Sequence, residues 1–339
     1  MSNSRLQCIN LSSIENRYSE LSSSILRTPT TKLSSPLLND LIKESEIYLK
    51  LECFQHSGTF KARGALSVTK QILKDKKKFG ITAASAGNHA IAAAWAAKVE
   101  KLSAKVVMQT SANPFRISLA KTYGAEIIMK EGGIATFAEA DRLVREENRT
   151  FIHPFDGVDT TLGAAGVGLE LIEDYSDLEA VVVAVGGGGL ISGVAAAVKL
   201  KNNKCKIYGV EPIGANSMAQ SVKIGKPVTL NSVDTIADSL APPMALPFSY
   251  SLCKKFVDEF VTVTENQICA GLSLLQEEGK LAVEPAAGAV LAGAIWPLRK
   301  KLAGKKIGLV ICGANIDAQT YERFLRQGSR IINQELPVV

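Results

Sequence analysis

The sequence predicts an α/β protein with two doubly wound, parallel-sheet domains, and three observations support this fold class. Short apolar strands alternate with helices in two separate series along the chain. The run A-V-V-V-A-V at 180–185 is continuously apolar, as is typical of a parallel strand covered by helices on both faces. A chain of 339 residues with 46% hydrophobic content is long enough for about two cores. Alternation at this spacing favours parallel sheets with helical crossovers.

The first series lies between residues 81 and 152. Its predicted strands and helices are strands at 81–84, 105–108, 126–129 and 150–152 and helices at 90–99 and 135–147. Asn113-Pro114 indicates one more helix start, because asparagine caps helices and proline suits the first helical position. We therefore expect a small mobile domain at 71–156.

The second series comes later in the chain. Its predicted elements are strands at 180–185, 206–210 and 307–311 and a helix at 190–200. We expect a large cofactor-binding domain formed by residues 1–70 and 157–339, so that the small domain is an insertion within it.

Composition excludes several classes of protein. The formal net charge is +6, but the basic runs are short and aromatic residues make up only 6% of the chain, which disfavours a nucleic-acid partner. No apolar run approaches the ~20 residues of a membrane span. The polar N-terminus, Met1 to Ser24, lacks the pattern of a secretory signal. We expect a cytoplasmic protein with neither a membrane nor a nucleic-acid partner.

The cysteines and histidines form no metal-binding pattern. None of the six cysteines lies two or four residues from another, so zinc-ligand spacing is absent and reduced thiols are expected. His89 and His153 follow strands and are interpreted as structural, although His89 also lies in a predicted substrate loop. His56 is a candidate for lining a substrate pocket.

A run of four glycines joins the apolar strand at 180–185 to the next helix. These residues are Gly186, Gly187, Gly188 and Gly189. Backbone amides at such a junction converge on an anion and the helix N-terminus adds positive potential, which favours a phosphate site. A dinucleotide site is the competing interpretation, because Glu211 ends the next strand at a suitable distance. No register of the loop places glycine at the first, third and sixth positions of the dinucleotide motif.

Lys61 is the most informative residue of the chain. It lies in S-G-T-F-K-A-R-G-A at 57–65, directly after Phe60 and among small residues. A lysine beside glycines is by itself usually an exposed side chain. Held against a flat ring in a buried site, its amine has a lowered pKa and forms imines. A lysine anchor together with a phosphate cradle indicates pyridoxal phosphate, which needs both.

Two more strand ends carry polar side chains. The loop after the strand at 81–84 contains Ser85, Ala86, Gly87, Asn88 and His89. Its free amides and the Asn88 side chain suit a carboxylate or a ring hydroxyl, although a simple helix cap is the alternative. Cys312 follows the strand at 307–311, where a side chain points toward the ligand crevice of an open α/β sheet. A buried core thiol is the alternative there.

Together these segments resemble the fold-type II pyridoxal-phosphate enzymes, specifically the threonine/serine dehydratase and serine racemase group. The resemblance extends from about Thr28 to about Arg326. It rests on the two motifs around Lys61 and Asn88, the glycine loop, T-I-A-D at 235–238 and C-G-A-N-I-D at 312–317, which occur in the family's order. It implies a fold like the β subunit of tryptophan synthase, a small amino-acid substrate and a homodimer.

The resemblance also implies roles for individual residues. Lys61 binds the cofactor covalently and later removes the substrate α-proton. The glycine loop holds the phosphate, and the loop from Ser85 to His89 receives the substrate carboxylate. The implied contacts of the cofactor ring are Phe60 packing beside it, Asn88 on its 3-hydroxyl, Cys312 facing its nitrogen, and Glu284 nearby. The implied reaction is loss of the β-hydroxyl, giving a 2-oxo acid and ammonia.

Ala86 favours a lyase over a racemase. Family racemases carry serine at this position, on the face of the cofactor ring opposite the lysine. Racemisation needs a proton donor on each face, and a methyl group donates no proton. We therefore expect an ammonia-lyase acting on L-threonine or L-serine, with an amino-acid racemase as the alternative. A nucleotide-binding sensor or an oxidoreductase that uses the glycine loop is a more remote alternative.

Two positions depart from the family pattern. The racemase-type metal site is matched by Glu211 and Ala215, but Ser217 replaces its aspartate, so a weaker divalent site or a monovalent cation is expected. Ser239 replaces the glycine that follows T-I-A-D. This second change borders the substrate region and suggests a bulkier substrate, such as phenylserine or 3-hydroxyaspartate.

Overall fold

The structure is a computed structural model that describes residues 3–336. The outermost residues of the predicted large domain, 1–2 and 337–339, lie outside the described part. The strands are β1 Thr30–Leu33, β2 Glu46–Lys50, β3 Ile81–Ala84, β4 Ala104–Gln109, β5 Glu126–Lys130, β6 Thr150–Phe151, β7 Ala180–Ala184, β8 Lys206–Pro212, β9 Glu259–Val263 and β10 Lys306–Val310.

Helices alternate with the strands along most of the chain. They are α1 Asn3–Gln7, α2 Leu11–Leu21, α3 Pro36–Leu41, α4 Lys61–Lys70, α5 Asn88–Val99, α6 Pro114–Thr122, α7 Gly132–Glu147, α8 Val158–Asp174, α9 Gly189–Lys201, α10 Ser217–Ile224, α11 Pro247–Phe256, α12 Glu265–Glu277, α13 Pro285–Ile295, α14 Arg299–Leu302 and α15 Ala318–Glu335. None of these described helices is long and apolar enough to cross a membrane.

The strands form two sheets. One sheet has six strands in the order β1-β2-β10-β7-β8-β9, and the other has four in the order β5-β4-β3-β6. All pairings are parallel except β1 with β2, which is antiparallel. The α/β fold class with two parallel sheets is therefore confirmed, with one correction at the edge of the larger sheet. The four-stranded sheet falls within the predicted small domain, whose boundaries stay a prediction.

The predicted strands and helices agree with the structure to within a few residues, and three strands were not predicted. The missing strands are β1, β2 and β9. β1 is an edge strand with two exposed residues, and β2 contains Glu46 and Lys50, so neither shows the continuous apolar run of a central parallel strand. At the predicted Asn113-Pro114 cap, the Asn113 side chain accepts the N–H of Phe115.

Close helix packing holds the larger sheet together around its buried centre. β7 is buried along its whole length. α8 and α9 approach so closely that a Cβ atom on Gly168 would lie 2.6 Å from the Val194 carbonyl oxygen. This packing fixes the carboxyl ends of the central strands, and ligands bind in the crevice beyond such ends in open α/β sheets.

Candidate active site

The segment that carries Lys61 is tied to the segment that follows β10. Thr59 forms an antiparallel bridge with Gly313, and the Phe60 N–H donates to the Cys312 carbonyl oxygen at 3.0 Å. α4 begins at Lys61, so the lysine leaves the first turn of the helix. The structure thus brings Lys61, Phe60 and Cys312 together, although Cys312 lies far from the other two in sequence.

The Lys61 side chain is partly exposed, but the amine at its end is buried. Its Nζ donates to the Pro154 carbonyl oxygen at 2.5 Å and lies 5.1 Å from the centre of the Phe60 ring. Among residues 3–336, no carboxylate oxygen lies within ion-pair distance of this nitrogen. Burial lowers the pKa of Lys61 to about 8, against weaker opposing effects of Cys312 and Glu284. The amine is therefore partly neutral near physiological pH, as an imine-forming base must be.

The glycine loop passes directly beneath Phe155. A Cβ atom on Gly187 would lie 2.2 Å from the Phe155 ring, and one on Gly189 would lie 2.6 Å from the Phe155 carbonyl oxygen. Gly188 has a φ of +88°, which L side chains rarely adopt. Only glycine fits at these positions, and the loop's amides lead into the N-terminus of α9. A small cavity connects this end of the site to the lysine, lined by Phe60, Lys61, Gly64, Ala65, His89, His153, Pro154, Thr160, Ala164 and Gly189.

Asn88 and Glu284 are in direct contact. Asn88 Nδ2 donates to Glu284 Oε1 at 2.9 Å and to Oε2 at 2.7 Å. Asn315 Nδ2 donates to Asn88 Oδ1 at 2.8 Å, which fixes which end of the Asn88 amide faces the carboxylate. Burial raises the pKa of Glu284, and the charge of Arg116 and the Asn88 amide oppose this shift. The predicted ring contacts Asn88 and Glu284 therefore form one hydrogen-bonded cluster with Asn315.

The predicted substrate loop is half-buried and remains accessible. Ser85, Ala86 and Gly87 are each partly exposed, and the Gly87 N–H donates to Ser85 Oγ at 3.1 Å. A Cβ atom on Gly87 would lie 3.2 Å from Arg116 Nη1. The loop predicted to receive the substrate carboxylate thus lies beside a guanidinium group.

Arg116 is a residue of the site that the sequence interpretation missed. It is 7% exposed, and its guanidinium donates to the Asn315 carbonyl oxygen and to the Asp238 carboxylate. Burial works against its charge, but Asp238 raises the pKa of Arg116 above its ordinary value. Arg116 lies in α6, just beyond the Asn113-Pro114 helix start, and that start was the available signal for it.

The remaining predicted residues have different surroundings. Cys312 is buried, and burial raises the pKa of its thiol well above the ordinary value, so it stays neutral.

His89 Nε2 lies 2.8 Å from the Ile152 carbonyl oxygen. His153 Nδ1 accepts the N–H groups of Phe155 and Asp156. Both histidines have a pKa lowered by burial, to about 3 and about 4 respectively. The His56 ring stacks on Trp95 at 5.0 Å.

At the predicted cation site, the Glu211 carboxylate is already bonded to backbone amides at the start of α10. The Glu211 carboxylate accepts the N–H groups of Met218 at 2.9 Å and Ala219 at 2.7 Å, in the first turn of α10. Ala215 is buried just before that helix. The structure shows no group of three or more histidine, cysteine, aspartate or glutamate side chains within 3–336 that would hold a metal ion. The cation prediction therefore gains no support.

Comparison with known proteins decides the family. The sequence profile described as "Pyridoxal-phosphate dependent enzyme" matches residues 21–313, most of the chain. The protein belongs to the pyridoxal-phosphate-dependent enzyme family. The resemblance predicted from the five motifs is thereby confirmed.

Relatives within this family are similar over most of their length. Phenylserine dehydratase of Ralstonia pickettii is 44% identical over 282 residues, which cover 83% of this chain and 86% of the relative. L-threonine ammonia-lyase of Thermotoga maritima is 38% identical over 285 residues, covering 84% and 70% respectively. The structure of maize serine racemase superimposes with a TM-score of 0.87 at 30% identity, covering 95% of this chain and 98% of the racemase.

The site residues fit pyridoxal phosphate. The loop at 186–189 leaves room for no Cβ atoms and presents amides at a helix N-terminus, which suits the phosphate. The buried Lys61 amine, with its lowered pKa, suits the covalent anchor. The neutral Cys312 thiol, rather than a carboxylate, is predicted to face the ring nitrogen.

Proposed function

We propose that this protein is a pyridoxal-phosphate-dependent ammonia-lyase that dehydrates a β-hydroxy-α-amino acid to a 2-oxo acid and ammonia. The observation that carries the proposal is the Lys61 amine, which is buried, pairs with no carboxylate of residues 3–336 and shares a cavity with Gly189 and His89. A base of this kind is suited to take a proton from a carbon acid near neutral pH.

The residues divide the work between binding and proton transfer. The bound cofactor supplies the electron withdrawal that acidifies the substrate Cα–H bond. Lys61 Nζ takes the α-proton, and the amides of the loop at 85–89 hold the substrate carboxylate beside Arg116. The Cys312 thiol stays neutral and offers no charge that would keep a ring nitrogen protonated. This weaker electron withdrawal suits elimination over reactions that need a long-lived carbanion.

Ala86 supports the lyase over the racemase. In the loop from Ser85 to His89, the Ala86 methyl group stands where family racemases have a hydroxyl. The Ala86→Ser variant restores a donor, so we expect D-isomer formation to rise from background to a measurable fraction of turnover, while Ala86→Gly serves as a control without a hydroxyl. Equal D-isomer formation by the wild type and both variants would refute the role assigned to Ala86.

Arg116 supports a substrate with an uncharged β-substituent. Its guanidinium is already paired with Asp238 and with the Asn315 carbonyl oxygen, so it offers no free charge for a second substrate carboxylate. The Asp238 carboxylate would also repel such a group. With the similarity to a phenylserine dehydratase, this favours L-threo-3-phenylserine as the preferred substrate, ahead of threonine and serine and well ahead of 3-hydroxyaspartate.

The decisive experiment is a paired assay of the holoenzyme with these four amino acids. Release of 2-oxo acid and formation of the D-isomer are followed separately, and Lys61→Ala is the inactive control. We expect 2-oxo acid without D-isomer and the highest kcat/KM for phenylserine. Comparable D-isomer formation would establish the racemase instead, and a preference for 3-hydroxyaspartate would refute the role assigned to Arg116.

We further propose that the domain at 71–156 moves against the rest of the chain to close on substrate. Two contacts cross this boundary. Arg116 pairs with Asp238, and Asn113 Nδ2 donates to Asp317 Oδ2 at 2.7 Å. Identical domain angles with and without a substrate analogue would argue against such closure. The homodimer and the cytoplasmic location also stay predictions, and light scattering of the purified enzyme tests the first of them.

A further inference from the structure

The Glu284 carboxylate is surrounded by hydrogen-bond donors. It is 2% exposed, receives Asn88 Nδ2 on both oxygens, and receives the Ser239 hydroxyl on Oε1 at 3.2 Å. The Asn88 amide presents only its donor end here, because Asn315 already occupies its oxygen. An ionised carboxylate accepts on both oxygens, whereas a protonated one must itself donate. This set of partners is therefore matched to the ionised form.

Other charged and titratable groups face Glu284 from the surrounding elements. Arg116 of α6 acts through its charge, while its hydrogen bonds go to Asp238 and to the Asn315 carbonyl oxygen. Asp238 opposes ionisation of Glu284. Lys61 and Cys312 are further titratable groups that interact electrostatically with Glu284. Asn88 and Ser239 are thus the side chains that bond directly to the carboxylate.

Ser239 is held in place from two directions. It lies in a short 3-10 helix, Asp238–Leu240, whose first residue is bound by Arg116 from the four-stranded-sheet side. On the other side, a Cβ atom on Gly186 would lie 2.9 Å from the Ser239 carbonyl oxygen, so this turn packs directly on the glycine loop. The position of the Ser239 hydroxyl therefore depends on the Arg116–Asp238 contact and on the glycine loop together.

We propose that Ser239 is a positioning residue that holds the Glu284 carboxylate ionised beside Lys61, and that the Arg116–Asp238 pair brings its hydroxyl into place. Serine stands here where the resemblance implies glycine, and its hydroxyl supplies a donor that glycine lacks. The contact between α6 and the 3-10 helix Asp238–Leu240 then controls the charge of a buried carboxylate that acts electrostatically on Lys61. For its effect on catalysis, the inference rests on the proposed function.

The first test measures the Glu284 carboxyl directly, without cofactor. Carbon NMR of apo-protein labelled at the glutamate carboxyl carbon follows the titration, and Glu284→Gln identifies the signal. Loss of one donor to a charged acceptor is expected to raise the pKa of Glu284 by about one unit in Ser239→Ala. Ser239→Thr, which keeps the hydroxyl, should restore the wild-type value. An unchanged titration in Ser239→Ala would overturn the proposal.

Ser239→Gly guards against a folding artefact, because glycine is the residue that the family pattern carries there. It should shift the titration in the same direction as Ser239→Ala. A shift in one variant but not in the other would mean that local distortion, rather than the lost hydroxyl, is responsible, and this too would overturn the proposal.

The second test asks whether the Arg116–Asp238 contact positions the Ser239 hydroxyl. Asp238→Asn also removes a negative charge, which alone would lower the pKa of Glu284. If positioning of the hydroxyl dominates, the pKa rises instead, whereas in the Ser239→Ala background Asp238→Asn only lowers the pKa, because the charge is lost and no hydroxyl remains to be positioned. A lowered pKa in Asp238→Asn, or shifts that add independently, would refute the positioning step.

A third test links the charge to catalysis in the holoenzyme. The acid limb of the kcat/KM profile for the best substrate should move to higher pH by the same amount in Ser239→Ala and return in Ser239→Thr. A limb that stays in place while the NMR titration shifts would refute the link. If no β-hydroxy amino acid is turned over at all, the proposed function fails, and the apo-protein titration still decides the role of Ser239.

Discussion

Lys61 and Arg63 lie two residues apart in the first turn of α4, and the protein treats their charges in opposite ways. Arg63 is fully buried and donates to both carboxylate oxygens of Glu52 and of Glu170, at 2.7 to 2.9 Å. Burial alone would lower the pKa of Arg63, but these carboxylates raise it above its ordinary value. Lys61 Nζ instead donates to the Pro154 carbonyl oxygen and pairs with no carboxylate in the described part of the chain, and burial lowers its pKa to about 8.

The difference shows how the first turn of α4 both fixes the helix in place and carries an amine with a lowered pKa. Lys50 joins the Arg63 cluster, with its Nζ 2.6 Å from Glu170 and 2.7 Å from the Thr28 carbonyl oxygen. Arg63 and Lys50 share Glu170, and Arg63 also binds Glu52, so these ion pairs fix α4 to β2 and α8. The unpaired amine at the start of the same helix then has a fixed position and a low proton affinity.

The largest effect is expected from Lys61→Ala. Activity of the holoenzyme should fall by about 10³-fold or more, since the proposed proton-transfer group is lost. The apo variant should be more stable than the wild type at pH 7 by on the order of 2 kcal/mol, because a buried unpaired charge is removed. Denaturant unfolding of apo-protein at several pH values measures this difference.

The sign of that pH dependence follows from the lowered pKa. Below pH 8 the folded wild type carries the cost of a charged buried amine, and this cost disappears as pH rises from about 8 toward the ordinary value of 10.5. The stability difference between Lys61→Ala and the wild type should therefore shrink over this window. A difference that grows with pH would contradict the assignment of an unpaired amine.

The second prediction concerns Arg63→Met. The variant leaves Glu52 buried without a cation, and it should lower the free energy of unfolding by about 3–5 kcal/mol. Arg142→Met is the matched control, because Arg142 pairs with Glu139 and Glu146 on the exposed face of α7. There the change should stay within about 1 kcal/mol. Equal effects of the two substitutions in urea unfolding would remove the distinction drawn for α4.

The third prediction separates the two cations of the buried cluster. In Lys50→Met, Glu170 keeps its two hydrogen bonds to Arg63, so the loss should be smaller than in Arg63→Met, about 2 kcal/mol. The double variant should lose less than the sum of the single losses, because both cations share Glu170. Strict additivity in the same unfolding assay would mean that the cluster does not act as a unit.

The smallest effect is a rate. Capture of pyridoxal phosphate by apo-protein should speed up about tenfold per pH unit until pH 8 and then level off, because only the neutral amine attacks the aldehyde. Stopped-flow absorbance measures it. An acceleration that continues toward pH 10.5, as for an exposed lysine, would show that Lys61 is not perturbed as described.

Much of the fold could be read from local patterns, and the ends of strands gave most of the site. β3, β7 and β10 are short apolar runs, and each is followed by the residues that assemble around Lys61. β1 and β2 escaped prediction because their charged residues interrupt any apolar run. The fold class and the family were confirmed, while the roles of the individual site residues stay predictions.

The contacts that could not be predicted are those between residues distant in sequence. The Asn113-Pro114 helix start predicts the helix that carries Arg116, but it does not predict the contacts of Arg116 with Asp238 and Asn315. Each of these partners comes from a different part of the chain. The Lys50–Glu170 and Arg63–Glu52 pairs also depend on how α8 lies against β2. Such partners are set by tertiary packing, which a single sequence does not display at either position.

The order of strands in the larger sheet has a consequence for synthesis on the ribosome. β10, one of the last elements of the chain, inserts between β2 and β7, pairing residues 306–310 with 46–50 and 307–309 with 180–182. The larger sheet therefore cannot close until almost the whole chain has emerged. The four-stranded sheet needs only residues up to 151 and is free to form earlier, as domains generally fold as units during translation. Until β10 is in place, the edges of β2 and β7 that it later pairs are open, and open strand edges of this kind favour aggregation.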